Sequence, residues 1–249
     1  MPPIGIHGLI GLFLARKTRT QIKGDPTAVH QGLFLGLICG SMVPDIDLFV
    51  VFLSALVRFL ILQEDLYSSI DNSIWIHRSL THSLIFIGSG GIIILLLAHL
   101  MRWRNIFFTT AGLFSAMTIH AILDLFYLTG VYLFYPLGDR ILILPFDVMK
   151  TSESLQKIIA GLDMFLFDGI FYYYLYLALR KQNPSHWINR LKFLSVLTFI
   201  LAAVFFLLAL TSITIDVYLA ILYFFGGVPI MAFTISLPFI IRTELFKVI

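Results

Sequence analysis

Charge is scarce in this chain and thiols scarcer still. Only 12% of its 249 residues are Asp, Glu, Lys or Arg, against about a quarter in a soluble domain. Charge at half the usual density cannot cover a water-facing surface, so lipid must be the solvent over much of the chain. The single cysteine, Cys39, excludes an internal disulfide and a CxxC zinc site. No basic block with interleaved aromatics occurs, which argues against a nucleic-acid partner. No cleavable signal is expected, because Met-Pro-Pro opens the sequence and positive charge follows the first apolar stretch. Neither an internal repeat nor a low-complexity linker divides the chain.

What is present is apolar: 59% of the residues are hydrophobic. Runs at 84–101, 106–128, 155–179, 193–215 and 217–241 each approach the ~20 residues that a membrane-crossing helix needs. The expected fold class is therefore all-α, a polytopic helical integral membrane protein. Shorter runs at 3–15, 31–43 and 48–63 read as marginal spans, interfacial helices or re-entrant pieces. The last two long runs carry almost no ionisable group, which suggests a core over 1–180 and a C-terminal transmembrane hairpin over 181–249.

Lysine and arginine set the expected orientation. Arg16, Lys17, Arg19 and Lys23, then Arg102 and Arg104, then Arg180, Lys181, Arg190 and Lys192, and finally Arg242 and Lys247 fall on one side if the long runs alternate. That side is cytoplasmic by the positive-inside rule. The opposite loops hold most of the acidic residues, provided that 48–63, with Arg58 inside it, does not cross completely.

Three short segments concentrate the chemistry: Pro44-Asp45-Ile46-Asp47, His77-Arg78-Ser79-Leu80-Thr81-His82-Ser83, and His120-Ala121-Ile122-Leu123-Asp124. His7 in the first apolar run is a fourth candidate. Ionisable groups in apolar segments are costly and need partners or ligands. The expected topology brings all of these to one membrane face, the extracytoplasmic one. His120 and Asp124, at i and i+4, lie about 40° apart around a helix and point to one spot. Pro44 disfavours helix at the residue before it, so a short turn can aim Asp45 and Asp47 together. His77 and His82, five apart, would diverge on one helix; His77 is placed in the loop and His82 at a helix start, with Ser79 or Thr81 as its cap. Arg78 carries a guanidinium suited to a phosphate or carboxylate. Each segment taken singly has a structural reading: a packed histidine, an intrahelical ion pair, or Asp47 as a helix cap. Nitrogen and carboxylate donors without thiolate suit zinc, manganese or iron. Six or seven candidates exceed one tetrahedral ion, so two ions are expected, clamping an in-line displacement at phosphorus.

At His7, PDID (44–47), HRSLTHS (77–83) and HAILD (120–124), the sequence resembles the YdjM-like (LexA-regulated type) membrane-bound metal-dependent hydrolases. The stretch Thr129–Pro136 also looks like the family's segment after its HxxxD, with Tyr135 where a tryptophan is usual. This resemblance covers about residues 1–150. A fainter one, in ligand order alone, runs to the zinc-dependent phospholipase C and nuclease group and implies phosphoester cleavage. The leading expectation is a membrane hydrolase acting on a small-molecule or lipid phosphoester. His7, Asp45, Asp47, His77, His82, His120 and Asp124 would be its metal ligands. Asp47 and Arg78 would take catalytic roles, and Arg78, Tyr135, Asp139 and Arg140 would contact substrate. The alternatives are a transporter or channel using the same cluster as a cation site, and a non-catalytic scaffold stapled by metal.

Overall fold

The computed structural model describes residues 4–21, 26–64, 68–69, 79–126, 130–141, 143, 151–180, 186–227 and 237. Eight helices are named in chain order: α1 (Ile4–Gln21), α2 (Pro26–Gly40), α3 (Asp47–Ile61), α4 (Leu84–Leu100), α5 (Arg104–Asp124), α6 (Glu153–Leu179), α7 (His186–Ala209) and α8 (Ile215–Ile221). A 3-10 turn, Val43–Ile46, joins α2 to α3. A π-helical turn, Leu162–Leu166, interrupts α6, and a second, Leu222–Gly227, follows α8. Among the described residues there is no sheet; one isolated bridge pairs Val131 with Ile141.

Among the described residues three helices are long and apolar enough to cross a membrane: α5, α6 and residues 188–209 of α7. The chain is thus an all-α, polytopic membrane protein. The run at 84–101 forms a shorter helix of 17 residues, and 217–241 is described only in part. α3 is about 22 Å long, shorter than the hydrocarbon core of about 30 Å. Large hydrophobic side chains stand outward on α4 and α7, among them Ile92, Leu96, Phe193, Ile200 and Leu207. A water-soluble protein does not present such faces.

Glycine sets the closest helix contact. Gly32, Gly36 and Gly40 recur every four residues, on one face of α2. A Cβ at Gly36 would collide with the carbonyl of Thr109, and one at Gly40 with that of Leu113. With Gly112 facing them from α5, the two backbones meet directly, the small-residue packing that membrane helices use. This contact matters because it fixes the C-terminal end of α2 beside the middle of α5, about two turns before His120. The second half of α6 packs on α1 and α7. Leu12, Ile38, Phe171, Leu175 and Leu191 share one buried core across these helices. A second core joins the first half of α6 to α7 and α8 through Phe165, Phe205 and Tyr218. Buried Lys157 anchors the turn after α7, its Nζ donating to the carbonyls of Ile213 (2.7 Å) and Thr211 (3.2 Å).

Candidate metal centre

Four elements end at one place: the start of α1, the turn after α2, the turn before α4 and the end of α5. Their side chains there are His7, Asp45, His82, and the pair His120 and Asp124. Asp45, His82, His120 and Asp124 form a buried group whose ligand atoms all lie within 4.8 Å of one another. The residues are 0–1% exposed.

The spacing within the group is that of a coordination shell. His82 Nε2 lies 3.2 Å from His120 Nε2 and 3.2 Å from Asp124 Oδ2. Asp45 Oδ1 lies 3.5 Å from His120 Nε2 and 3.8 Å from His82 Nε2. His120 Nε2 to Asp124 Oδ2 is 3.7 Å. Ligands about 2.0–2.2 Å from a tetrahedral ion stand roughly 3.3–3.6 Å apart, so these edges suit one ion at the centre.

Hydrogen bonding turns both imidazole lone pairs inward. His120 Nδ1 donates to the Ser41 carbonyl at 2.7 Å. A carbonyl only accepts, so a proton sits on Nδ1, and in the neutral ring Nε2 is bare. Thr81 Oγ1 donates to Asp47 Oδ2 at 2.6 Å and lies 3.0 Å from His82 Nδ1. The hydroxyl has spent its one proton on Asp47, so His82 Nδ1–H must donate to Thr81, again leaving Nε2 bare. With both rings neutral, two bare nitrogens 3.2 Å apart repel unless a cation lies between them. Burial lowers the pKa of His82, favouring the neutral ring that a metal requires. Both Asp45 oxygens are buried and accept no hydrogen bond. Two carboxylates and two neutral imidazoles carry the charge that a divalent ion balances. The donors present therefore fit a divalent metal ion.

The other expected site residues fall in different places. His7 stacks on His120, ring centroids 3.6 Å apart, with Nε2 3.1 Å from Asp124 Oδ1. Asp47 stands outside the four-residue group and reaches His82 through Thr81. Ser79 and Thr81 do not cap α4; Ser83 occupies that position, and its hydroxyl donates to the Tyr135 carbonyl instead (2.8 Å). Tyr135 is half-buried on the 130–141 hairpin, while Asp139 and Arg140 are exposed there and outside the cluster. His77 and Arg78 lie outside the described residues. Sequence reasoning missed Ser41, because a main-chain acceptor leaves no side-chain signature.

Fold and site together define a polytopic helical membrane protein with a buried His2Asp2 cluster able to coordinate a metal ion. The chain belongs to the YdjM inner membrane protein family, whose profile matches residues 1–213. That match extends well past the 1–150 stretch carrying the motifs, through α6 and α7. Searches of curated proteins and of solved structures give no match.

Proposed function

We propose that the protein is a membrane-bound metal-dependent hydrolase that cleaves a phosphoester. The observation that carries this reading is the convergence of buried ligand atoms of Asp45, His82, His120 and Asp124 within 4.8 Å of one another. These four residues would hold a divalent ion, zinc by preference for this donor set, which when bound would supply water activation and charge stabilisation. His82 and His120 supply the nitrogen ligands, oriented by Thr81 and by the Ser41 carbonyl. Asp47 holds His82 in the required tautomer through Thr81. Arg78, next along the chain from His77, binds the substrate anion. A second ion is supported by the split of Asp124: Oδ2 faces His82 and His120, while Oδ1 faces His7. His77 then completes the second ion's ligands. The sidedness of the basic residues supports an extracytoplasmic position for the site.

One observation favours a second reading, a structural metal staple. Four protein donors at full burial can saturate a tetrahedral ion, whereas a catalytic ion keeps an open position. Cobalt-substituted protein in detergent separates the two. Under the hydrolase reading its visible spectrum changes on adding phosphate, and the zinc form releases p-nitrophenol from p-nitrophenyl phosphate while His120→Ala does not. A cobalt spectrum indifferent to phosphate, with no turnover, would establish the staple.

A further inference from the structure

A narrow cleft opens onto the cluster from the side. His7 and His120 form its polar end, and it runs between α1 and α5 with Ile10 and Leu14 on one wall and Ile119 and Leu123 on the other. It exists because α1 and α5 each pack on α2 rather than closely on one another. Gly11 and Ala116 keep the floor low, and the Ser41 hydroxyl beside them is already committed to the Ile38 carbonyl at 2.7 Å. All four wall residues are partly exposed, and beside them Phe13 and Ile122 are exposed. The mouth of the cleft therefore opens toward the surroundings of the helices, not toward their ends.

The depth of the cleft follows from α6. The Gly5 N–H donates to Asp168, which fixes the first turn of α1, and with it His7, beside the middle of α6. Asp168 is about 22 Å along the helix from Glu153 and about 16 Å from Leu179. The cluster thus lies beside the second half of a helix long enough and apolar enough to cross a membrane.

The geometry points to an amphiphilic lipid as the substrate, entering sideways from the bilayer with its aliphatic chain along the α1–α5 cleft and its phosphoester at the His–Asp cluster. The assignment of the reacting group rests on the hydrolase reading above. The cleft chemistry selects the chain. Its four wall residues offer no hydrogen bond, and the only side-chain polar groups lining it are the two histidines and the Ser41 hydroxyl, so a sugar or nucleotide would bury most of its polar groups without partners. A peptide helix, about 10 Å across, is far too wide. At rest the cleft is narrower than a water molecule, and Leu14 and Ile119 turn aside to admit the chain.

The test uses the full, metal-loaded chain in phosphatidylglycerol nanodiscs doped with phosphatidic acid carrying a diazirine in its acyl chain. Photolabelled residues are mapped by mass spectrometry, and phosphate release is recorded in parallel. Adducts should concentrate at residues 10–14 and 119–123 above the level on outward α7. Leu14→Trp and Ile119→Trp, filling the cleft from opposite walls, should each reduce them at least about tenfold with metal content unchanged. Uniform labelling of all lipid-facing helices, or labelling unmoved by either tryptophan, would overturn the cleft. Cleft labelling without phosphate release contradicts the hydrolase reading and leaves the lipid site standing. Phosphate release without cleft labelling does the reverse.

Discussion

Thr81→Val removes one hydroxyl and keeps the side-chain shape, so it isolates the link between Asp47 and His82. In the native chain Thr81 donates to Asp47 at 2.6 Å and accepts from His82 Nδ1 at 3.0 Å. Valine breaks both bonds. Asp47 loses a charge-assisted partner, and the His82 ring loses the contact that fixes its tautomer and plane. All four ligand residues remain in place. Groups that orient a metal-binding histidine typically contribute 10–100-fold in affinity, or about 1.4–2.7 kcal/mol. The expected outcome is a zinc affinity lower by that factor, with binding still measurable. Competition against a chromophoric chelator in detergent, at fixed pH, reads it directly. Affinity equal to wild type would refute the argument that Thr81 sets the His82 tautomer. Complete loss of binding would equally refute it, by making Thr81 indispensable to the fold of the turn.

The remaining expectations address the cluster, the helix contact and the anchor of α7. Asp124→Ala removes the carboxylate whose Oδ1 and Oδ2 face His7 and His82, and should abolish metal binding while membrane insertion persists; elemental analysis of the purified variant checks it. Gly36→Leu drives a side chain into the α5 backbone at Thr109 and should destabilise by about 3 kcal/mol or more, seen as a lower melting temperature in detergent. Lys157→Met keeps the stem but leaves the Ile213 and Thr211 carbonyls without their donor. It should cost about 1.5–3 kcal/mol in the same assay with metal content unchanged.

The fold class was legible because hydrophobic runs of membrane length leave little else for a chain to do. Helix ends were less so. α1 continues through Arg16 and Lys17 to Gln21, beyond the apolar run that predicts it, since charged residues at a helix end cost nothing once the stripe inside is packed. Within the cluster, His120 and Asp124 were the plainest pair, because helix geometry alone brings i and i+4 together. Asp45 and His82 were legible as polar residues in apolar surroundings, but only tertiary packing, the α2–α5 glycine contact above all, closes the gap between them. Asp47 illustrates the limit. A sequence shows a second carboxylate two residues from the first, yet Asp47 begins α3 while Asp45 sits in the preceding 3-10 turn. Thr81 then comes between Asp47 and the ring, a relation that spans 34 residues of chain.

The most direct test of the central claim is the metal content of wild-type protein purified in mild detergent, measured by elemental analysis beside His120→Ala. The account predicts at least one equivalent of a divalent transition metal in the wild type, lost in the variant while its size-exclusion profile is unchanged. Wild-type protein that holds no such metal after purification, and takes up none on reconstitution with zinc, manganese or iron, would contradict it.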